Sequence, residues 1–304
     1  MGTDATPNAT TRSSRLRRAL PSVRRHFADV ESNVFTEAAL RATFESQRGA
    51  WGLTMRDTAT GFIAKLVEEA EMRLVQLRFP LSYPSVRRYC WGEVPLLDLV
   101  QTFRKDSYFS HYTALQLHGL TEQVPKSIYL NHEQRPQPRP ELPPTQERVD
   151  RAFRVRQRVT RCTAELDGFT IHIVNGKHTG QLAVSEVTLP EGEGTVRTTD
   201  LDRALIDAAV RPDYCGGVHE VLHAYQAAAD RASPNRIRAL LQQLDYAYPY
   251  HQAIGFYLER SGAFDDAAVA LFRELPQPID FYLAHDMRET QYVKQWRLHV
   301  PRDM

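Results

Sequence analysis

The chain has 304 residues, 42% of them apolar and 25% charged, a globular composition long enough for two domains. No apolar run approaches the roughly 18 residues that cross a bilayer, so no membrane partner is expected. The net charge of +1 is unevenly spread: residues 1–106 hold 16 Lys and Arg against 12 Asp and Glu, and residues 107–304 hold 22 against 25. A basic first part joined to an acidic remainder fits a module facing nucleic acid followed by a module with another partner. Cys90, Cys162 and Cys215 are far apart and form no CxxC, which argues against a disulfide framework or a cysteine zinc site. The arginine-rich first 29 residues lack the apolar core and cleavage site of a secretory signal, and a cytoplasmic location is expected.

In chain order, Arg15, Arg17, Arg18, Arg24 and Arg25 surround Leu16, Leu20 and Val23. They predict a basic first helix, started or interrupted at Pro21. Thr36 is placed to cap a second helix with Ala38, Ala39, Leu40 and Phe44 on its apolar side. Thr54-Met55-Arg56-Asp57 then has the spacing of a capping box, with Asp57 in the position usually held by Glu. Beyond it Ala59, Phe62, Ile63, Leu66, Val67 and Ala70 recur at i, i+3, i+4, i+7 and predict one buried stripe. The opposite face, Thr54, Asp57, Thr58, Gly61, Ala64 and Lys65, is short-chained apart from one cation. Such a face can lie deep in a major groove, with Arg56 reaching a base edge from one side.

A strand over 73–79, a turn over 80–85 containing Tyr83, and a strand over 86–91 containing Arg87 and Arg88 follow. Three helices and then a basic-tipped hairpin is the order of a winged helix-turn-helix domain, expected over residues 1–106. Thr54, Arg56, Asp57, Thr58 and Lys65 are the candidate groove contacts. Tyr83, Arg87 and Arg88 form the wing, and Arg15, Arg17 and Arg18 would track phosphates of double-stranded DNA. A protein-binding adaptor is the alternative, because winged helices also mediate protein contacts. It predicts no salt-dependent DNA affinity.

Residues 107–304 read as a mixed α/β domain, so the whole chain is expected to be α+β. Ser110 is the N-cap and Gly119 the stop of a short helix, followed by a strand over 124–130. The run 134–144 is Pro-rich and predicts an extended loop. Arg148, Arg151, Arg154, Arg156, Arg158 and Arg161 alternate with Phe153, Val155 and Val159, which predicts a cationic edge strand. Strands are expected over 169–174 and 182–187. From Thr199 the chain turns helical, with helices beginning near Asp200, Gly217, Ser233-Pro234, Tyr250 and Asp265. It is expected to end as a helical bundle, with closing strands over 281–283 and 296–300.

Two stretches resemble a known family. YFSHYTALQLHGLTEQVPKSIYL (108–130) and TTDLDRALIDAAVRPDYCGGVHEVLHA (198–224) are similar to the AbiEi antitoxins of type IV abortive-infection systems. AIGFYLERSGA (253–263) and WRLHV (296–300) add weaker matches. The Pro-rich loop and the arginine-rich arm are longer than that pattern needs. The resemblance implies a DNA-binding protein that represses its own operon, and a second domain that opposes a nucleotidyltransferase-like toxin.

No cofactor and no catalytic role are expected. His219-Glu220-Val221-Leu222-His223 spells HExxH, in which two histidines one helical turn apart bind Zn²⁺ and the glutamate activates water. This is the second reading, a winged-helix regulator carrying a zinc peptidase site. The extended form of the motif fails at Gln226 and Ala229, where glycine and histidine would stand. Ser110 beside His111 is not expected to form a catalytic pair, because neighbours on a helix diverge. His111 and His118, seven apart, are explained by capping and packing. Asp150, Glu165 and Asp167 lack the lysine that a nuclease site would add. No GxxxxGK[ST] or GxGxxG loop occurs.

Overall fold

The computed structural model describes residues 9–80, 83–136, 144–189 and 194–304, with side chains from Arg15 onward. The chain divides into two compact units, one ending at Phe103 and the other beginning at Arg104. The fold is mixed α and β throughout.

In the first unit, α1 (Ala9–Ala28), β1 (Val34–Phe35), α2 (Glu37–Gln47), α3 (Ala59–Glu69), β2 (Met72–Leu77), β3 (Val86–Trp91) and α4 (Leu96–Gln101) follow one another. The strands form an antiparallel sheet in the order β1-β3-β2. Leu16, Ala19, Val23 and Phe27 recur every three to four residues on α1 and are all buried. That stripe carries the helix straight through Pro21, where a break was expected. Pro21 stands on the exposed side, and the burial of four core residues outweighs one missing backbone hydrogen bond. Phe27 stacks on Trp91 with ring centroids 5.0 Å apart, and Trp51 on Phe62 at 5.2 Å. Thr36 caps α2 as expected, its Oγ1 accepting from Ala39 N–H at 3.1 Å.

The capping box at Thr54 is corrected by one turn. Helix α3 begins at Ala59, and its N-cap is Thr58, whose Oγ1 accepts from Gly61 N–H at 3.3 Å. Thr54 and Asp57 instead close the turn before it. Both Thr54 N–H and Thr54 Oγ1 donate to Asp57 Oδ2, at 2.8 and 2.9 Å. The two residue types suit a helix start or an Asx-type turn equally, and the packing of Ala59 and Phe62 sets where the helix begins.

The second unit is built on a six-stranded sheet in the order β6-β7-β5-β4-β9-β8. Its strands are β4 (Tyr108–Phe109), β5 (Ser127–Glu133), β6 (Thr163–Leu166), β7 (Phe169–Gly176), β8 (Val184–Thr188) and β9 (Thr195–Thr199). The β5–β7 and β4–β9 pairs are parallel and the others antiparallel. Helices α5 (His111–Leu117), α6 (Gln146–Phe153), α7 (Leu201–Val210), α8 (Val218–Ala228), α9 (Pro234–Leu244), α10 (Tyr250–Ser261) and α11 (Asp266–Arg273) accompany it. Helix α7 is the axis of the core, with Ala204, Leu205, Ile206, Ala208 and Ala209 all buried.

Two further expectations are corrected. The helices α7 to α11 are not the end of the chain: the closing strands expected over 281–283 and 296–300 are present as β10 (Phe281–Tyr282) and β12 (Leu298–Pro301), and an unforeseen β11 (Thr290–Val293) joins them in a small sheet ordered β10-β12-β11. The arginine-rich 148–161 is not an edge strand. Its first part is α6, because Val149 and Phe153, four apart, both bury while the arginines around them stay outside. Most of the Pro-rich run, 137–143, lies outside the described residues. Among the described residues no helix is long and apolar enough to cross a membrane.

Candidate functional site

On α3 the stripe Ala59, Phe62, Ile63 and Leu66 is buried, while Thr60 and Ala64 are exposed and Gly61 half-buried. The outward face is therefore short-chained, as read from the sequence. Val67, assigned to the buried stripe, is 38% exposed. At the amino end of the face Arg56 is exposed and has no carboxylate partner among the described residues. Arg41 of α2 reaches the face as well, donating to Thr60 Oγ1 at 3.2 Å while paired to Glu37 at 2.7 Å. On the hairpin Arg87 is exposed, without a carboxylate partner among the described residues, and Tyr83 is 40% exposed.

The other candidates are engaged within the unit. Asp57 is only 2% exposed and does not face outward. Burial pushes its carboxyl up, but hydrogen bonds from Thr54 and Arg15 more than offset this and hold it below its ordinary range. Arg15 reaches Asp57 at 3.4 Å, so its charge is answered inside the fold. Arg17 forks onto Glu69 at 2.6 to 2.9 Å, and Lys65 lies 2.6 Å from the same carboxylate. These bonds, the Arg17 one first, draw Glu69 down to about 2. Arg88 donates to Thr102 Oγ1 at 2.9 Å and to the Arg87 carbonyl at 2.8 Å. Arg18 is likewise not without a partner. Thr54 and Thr58 are spent on the turn and the cap described above. For Arg15 and Arg17 the physical reason is that Asp57 and Glu69 fall beside α1, a long-range neighbourhood that spacing along the chain does not reveal, whereas Lys65 meets Glu69 one turn along its own helix.

The HExxH residues lie on α8. Glu220 is buried and accepts from Thr121 Oγ1 at 2.5 Å. His219 Nε2 lies 3.1 Å from Asp303 Oδ2, and His223 Nδ1 lies 3.9 Å from Glu220 Oε2. The two histidines thus have different acidic neighbours. Among the described residues no three His, Cys, Asp or Glu side chains are gathered as a metal site. Asp150 binds Gln146 and Tyr282, and Glu165 binds Thr170, so these carboxylates do not converge.

Ser110 and His111 do meet, contrary to expectation. His111 has φ +53°, off the helical path, and this turns its Nδ1 to 2.8 Å from Ser110 Oγ. A positive φ at a non-glycine residue costs energy and is found where function or packing demands it. Nearby, Arg203 and Asp207 form a buried pair at 2.8 Å on α7. Burial works against the Arg203 charge, and the Asp207 carboxylate more than restores it. Arg203 also donates to the Leu182 carbonyl at 3.1 Å. Sequence reasoning assigned these residues no role. The available signal was an Arg and an Asp four apart in an otherwise apolar helix, a spacing that pairs them on one buried face.

No protein-family model matches the chain, and no curated protein matches it. The fold does have a counterpart among solved structures. The crystal structure of the RV2827C protein from Mycobacterium tuberculosis matches with a TM-score of 0.58 at 13% sequence identity, over 94% of this chain and 91% of that one. At that identity the likeness is one of fold.

Proposed function

We propose that the first unit is a winged helix-turn-helix domain that binds duplex DNA, and that the chain is an autorepressor and antitoxin of the type IV kind. The observation that supports DNA binding is the outward face of α3, with short Thr60, Gly61 and Ala64 and the exposed Arg56 at its amino end, together with the exposed Arg87 on the hairpin. Short side chains let a helix sink into a major groove, and the flanking guanidiniums reach base edges and phosphates. Arg15, Arg17 and Lys65 have acidic partners within the unit and add little to the phosphate contacts. The antitoxin part of the reading is supported by the resemblance carried by 108–130 and 198–224, and the partner it implies is a nucleotidyltransferase-like toxin.

Fluorescence anisotropy of the full chain over a salt series tests the DNA reading, with a duplex from its own upstream region against a scrambled one. The cognate duplex is expected to bind more tightly, with affinity falling steeply as salt rises. Arg87→Ala should weaken binding to every sequence and lower the salt slope by about one. Arg56→Ala should reduce the preference for the cognate duplex. Arg17→Ala should change neither. Equal binding to both duplexes, or no salt dependence, overturns the autorepressor reading. Co-expression with the neighbouring gene tests the antitoxin part, with relief of growth arrest as the expected result.

A further inference from the structure

A polar cavity of about 400 Å³ lies in the second unit, beside the carboxyl ends of the parallel strands β5 and β7. Open α/β sheets take up small ligands at such strand ends, and the volume lies within the range of small-molecule pockets. Residues from both stretches 108–130 and 198–224 line it, including His111 and Arg203.

Three kinds of group meet there. Cations outnumber carboxylates: Arg203, Arg211 and Lys177 line the cavity with a single acid, Asp207, which is paired to Arg203, while Lys177 donates to the Leu244 and Asp245 carbonyls. Arg211 donates to the Arg158 carbonyl at 3.0 Å and has no carboxylate partner among the described residues. The second kind is an amide open to the cavity. Asn131 on β5 is 5% exposed and lines the cavity, yet its side chain has no hydrogen bond among the described residues. An amide that spends neither its oxygen nor its nitrogen on the protein and opens on a cavity can pair with the edge of a ligand. Gly176 on β7 makes room for it, since a Cβ there would overlap the Asn131 amide. The third kind is aromatic. Tyr246, Tyr248 and Tyr250 line the wall, with Tyr250 edge-on to each of the other two at 5.3 and 6.2 Å.

We propose that this cavity binds a nucleoside monophosphate, with the phosphate toward Arg211 and the base against the tyrosines, its edge met by the Asn131 amide. An excess of fixed cations selects a phosphate, and tyrosine faces take a planar base. Burial, with Arg211 and Arg203 nearby, depresses His111 to about 3, which makes its imidazole a poor acceptor for a proton from Ser110. This inference does not depend on the DNA-binding reading, and its test uses no DNA.

Calorimetric titration of the full chain with AMP, GMP, CMP, UMP and inorganic phosphate is the test. At least one nucleotide is expected to bind with a dissociation constant below about 1 mM, and phosphate alone at least about tenfold more weakly. Arg211→Gln should weaken the nucleotide about tenfold or more. Asn131→Ala should also weaken it while leaving the thermal midpoint of the empty protein unchanged or higher, because the amide it removes bonds no group of the protein. A merely structural Asn131 would lower that midpoint instead. Absence of binding by all four nucleotides, phosphate binding as tightly as the best nucleotide, or affinity untouched by both substitutions overturns the proposal.

Discussion

Asp57 shows how one residue can suit two readings. Its spacing from Thr54 is that of a helix cap, and its position before α3 suggests an outward, groove-facing group. In the fold it is buried, accepting from Thr54 N–H, Thr54 Oγ1 and Arg15. Asp57→Ala leaves those donors without their acceptor and should cost about 1–3 kcal/mol in urea unfolding of the full chain. A groove-contact role would instead lower DNA affinity at unchanged stability. His111 departs further from its sequence reading, because the backbone twist that brings it to Ser110 lies outside helical geometry. Helical periodicity has no means of anticipating a positive φ at the first residue of a helix.

At the scale of elements, most helices follow from their own residues. Thr36, Ser233 and Asp265 each accept from the N–H three residues on, and Tyr250–Ser261 ends at Gly262 with φ +64°. Packing between elements is less legible. Gly255 in the middle of α10 looks like a weak point, since glycine costs a helix about 1 kcal/mol against alanine. A Cβ there would overlap the Trp296 ring and press on Phe272 of α11. Gly255→Ala should therefore destabilise the full chain by roughly 1–3 kcal/mol despite its better propensity, because overpacking a buried contact outweighs the backbone gain. Differential scanning calorimetry of the two proteins checks the sign. A stabilised variant would mean that Trp296 shifts without cost.

Across the whole molecule the two units answer acid differently. Burial lowers His111 to about 3 and also lowers His172, His251 and His285, all in the second unit. As pH falls below 6.5 the unfolded chain takes up protons that the folded unit refuses. Each such histidine then removes up to about 1.4 kcal/mol per pH unit, a loss that for His111 continues to about pH 3. In the first unit Glu69 is drawn from 4.5 to about 2, so the stability gained from Arg17 and Lys65 is intact above pH 4.5 and is lost only as pH falls from there toward 2. The second unit should therefore unfold first. Pulse-labelling hydrogen exchange after incubation at stepped pH is expected to show residues 104–304 losing protection at a higher pH than 9–103. The reverse order would contradict these assignments.

What the residues determined alone is everything governed by near neighbours in the chain. The apolar spacings on α2 and α3, the cap at Thr36, the strand over 86–91, the Pro-started α9 and the short-chained face of α3 all depend on side chains within a turn or two of one another. Tertiary structure decided which charges are already answered and which polar groups share a cavity. Arg17 meets Glu69 across 52 residues, and Asn131 and Arg203 line one space though 72 positions separate them. It also turned the first part of the arginine-rich 148–161 from an expected strand into α6, and added β11 to the two expected closing strands. The reason is range: propensity and periodicity act over a few residues, whereas the desolvation of a charge or an amide is set by whatever the whole fold packs against it.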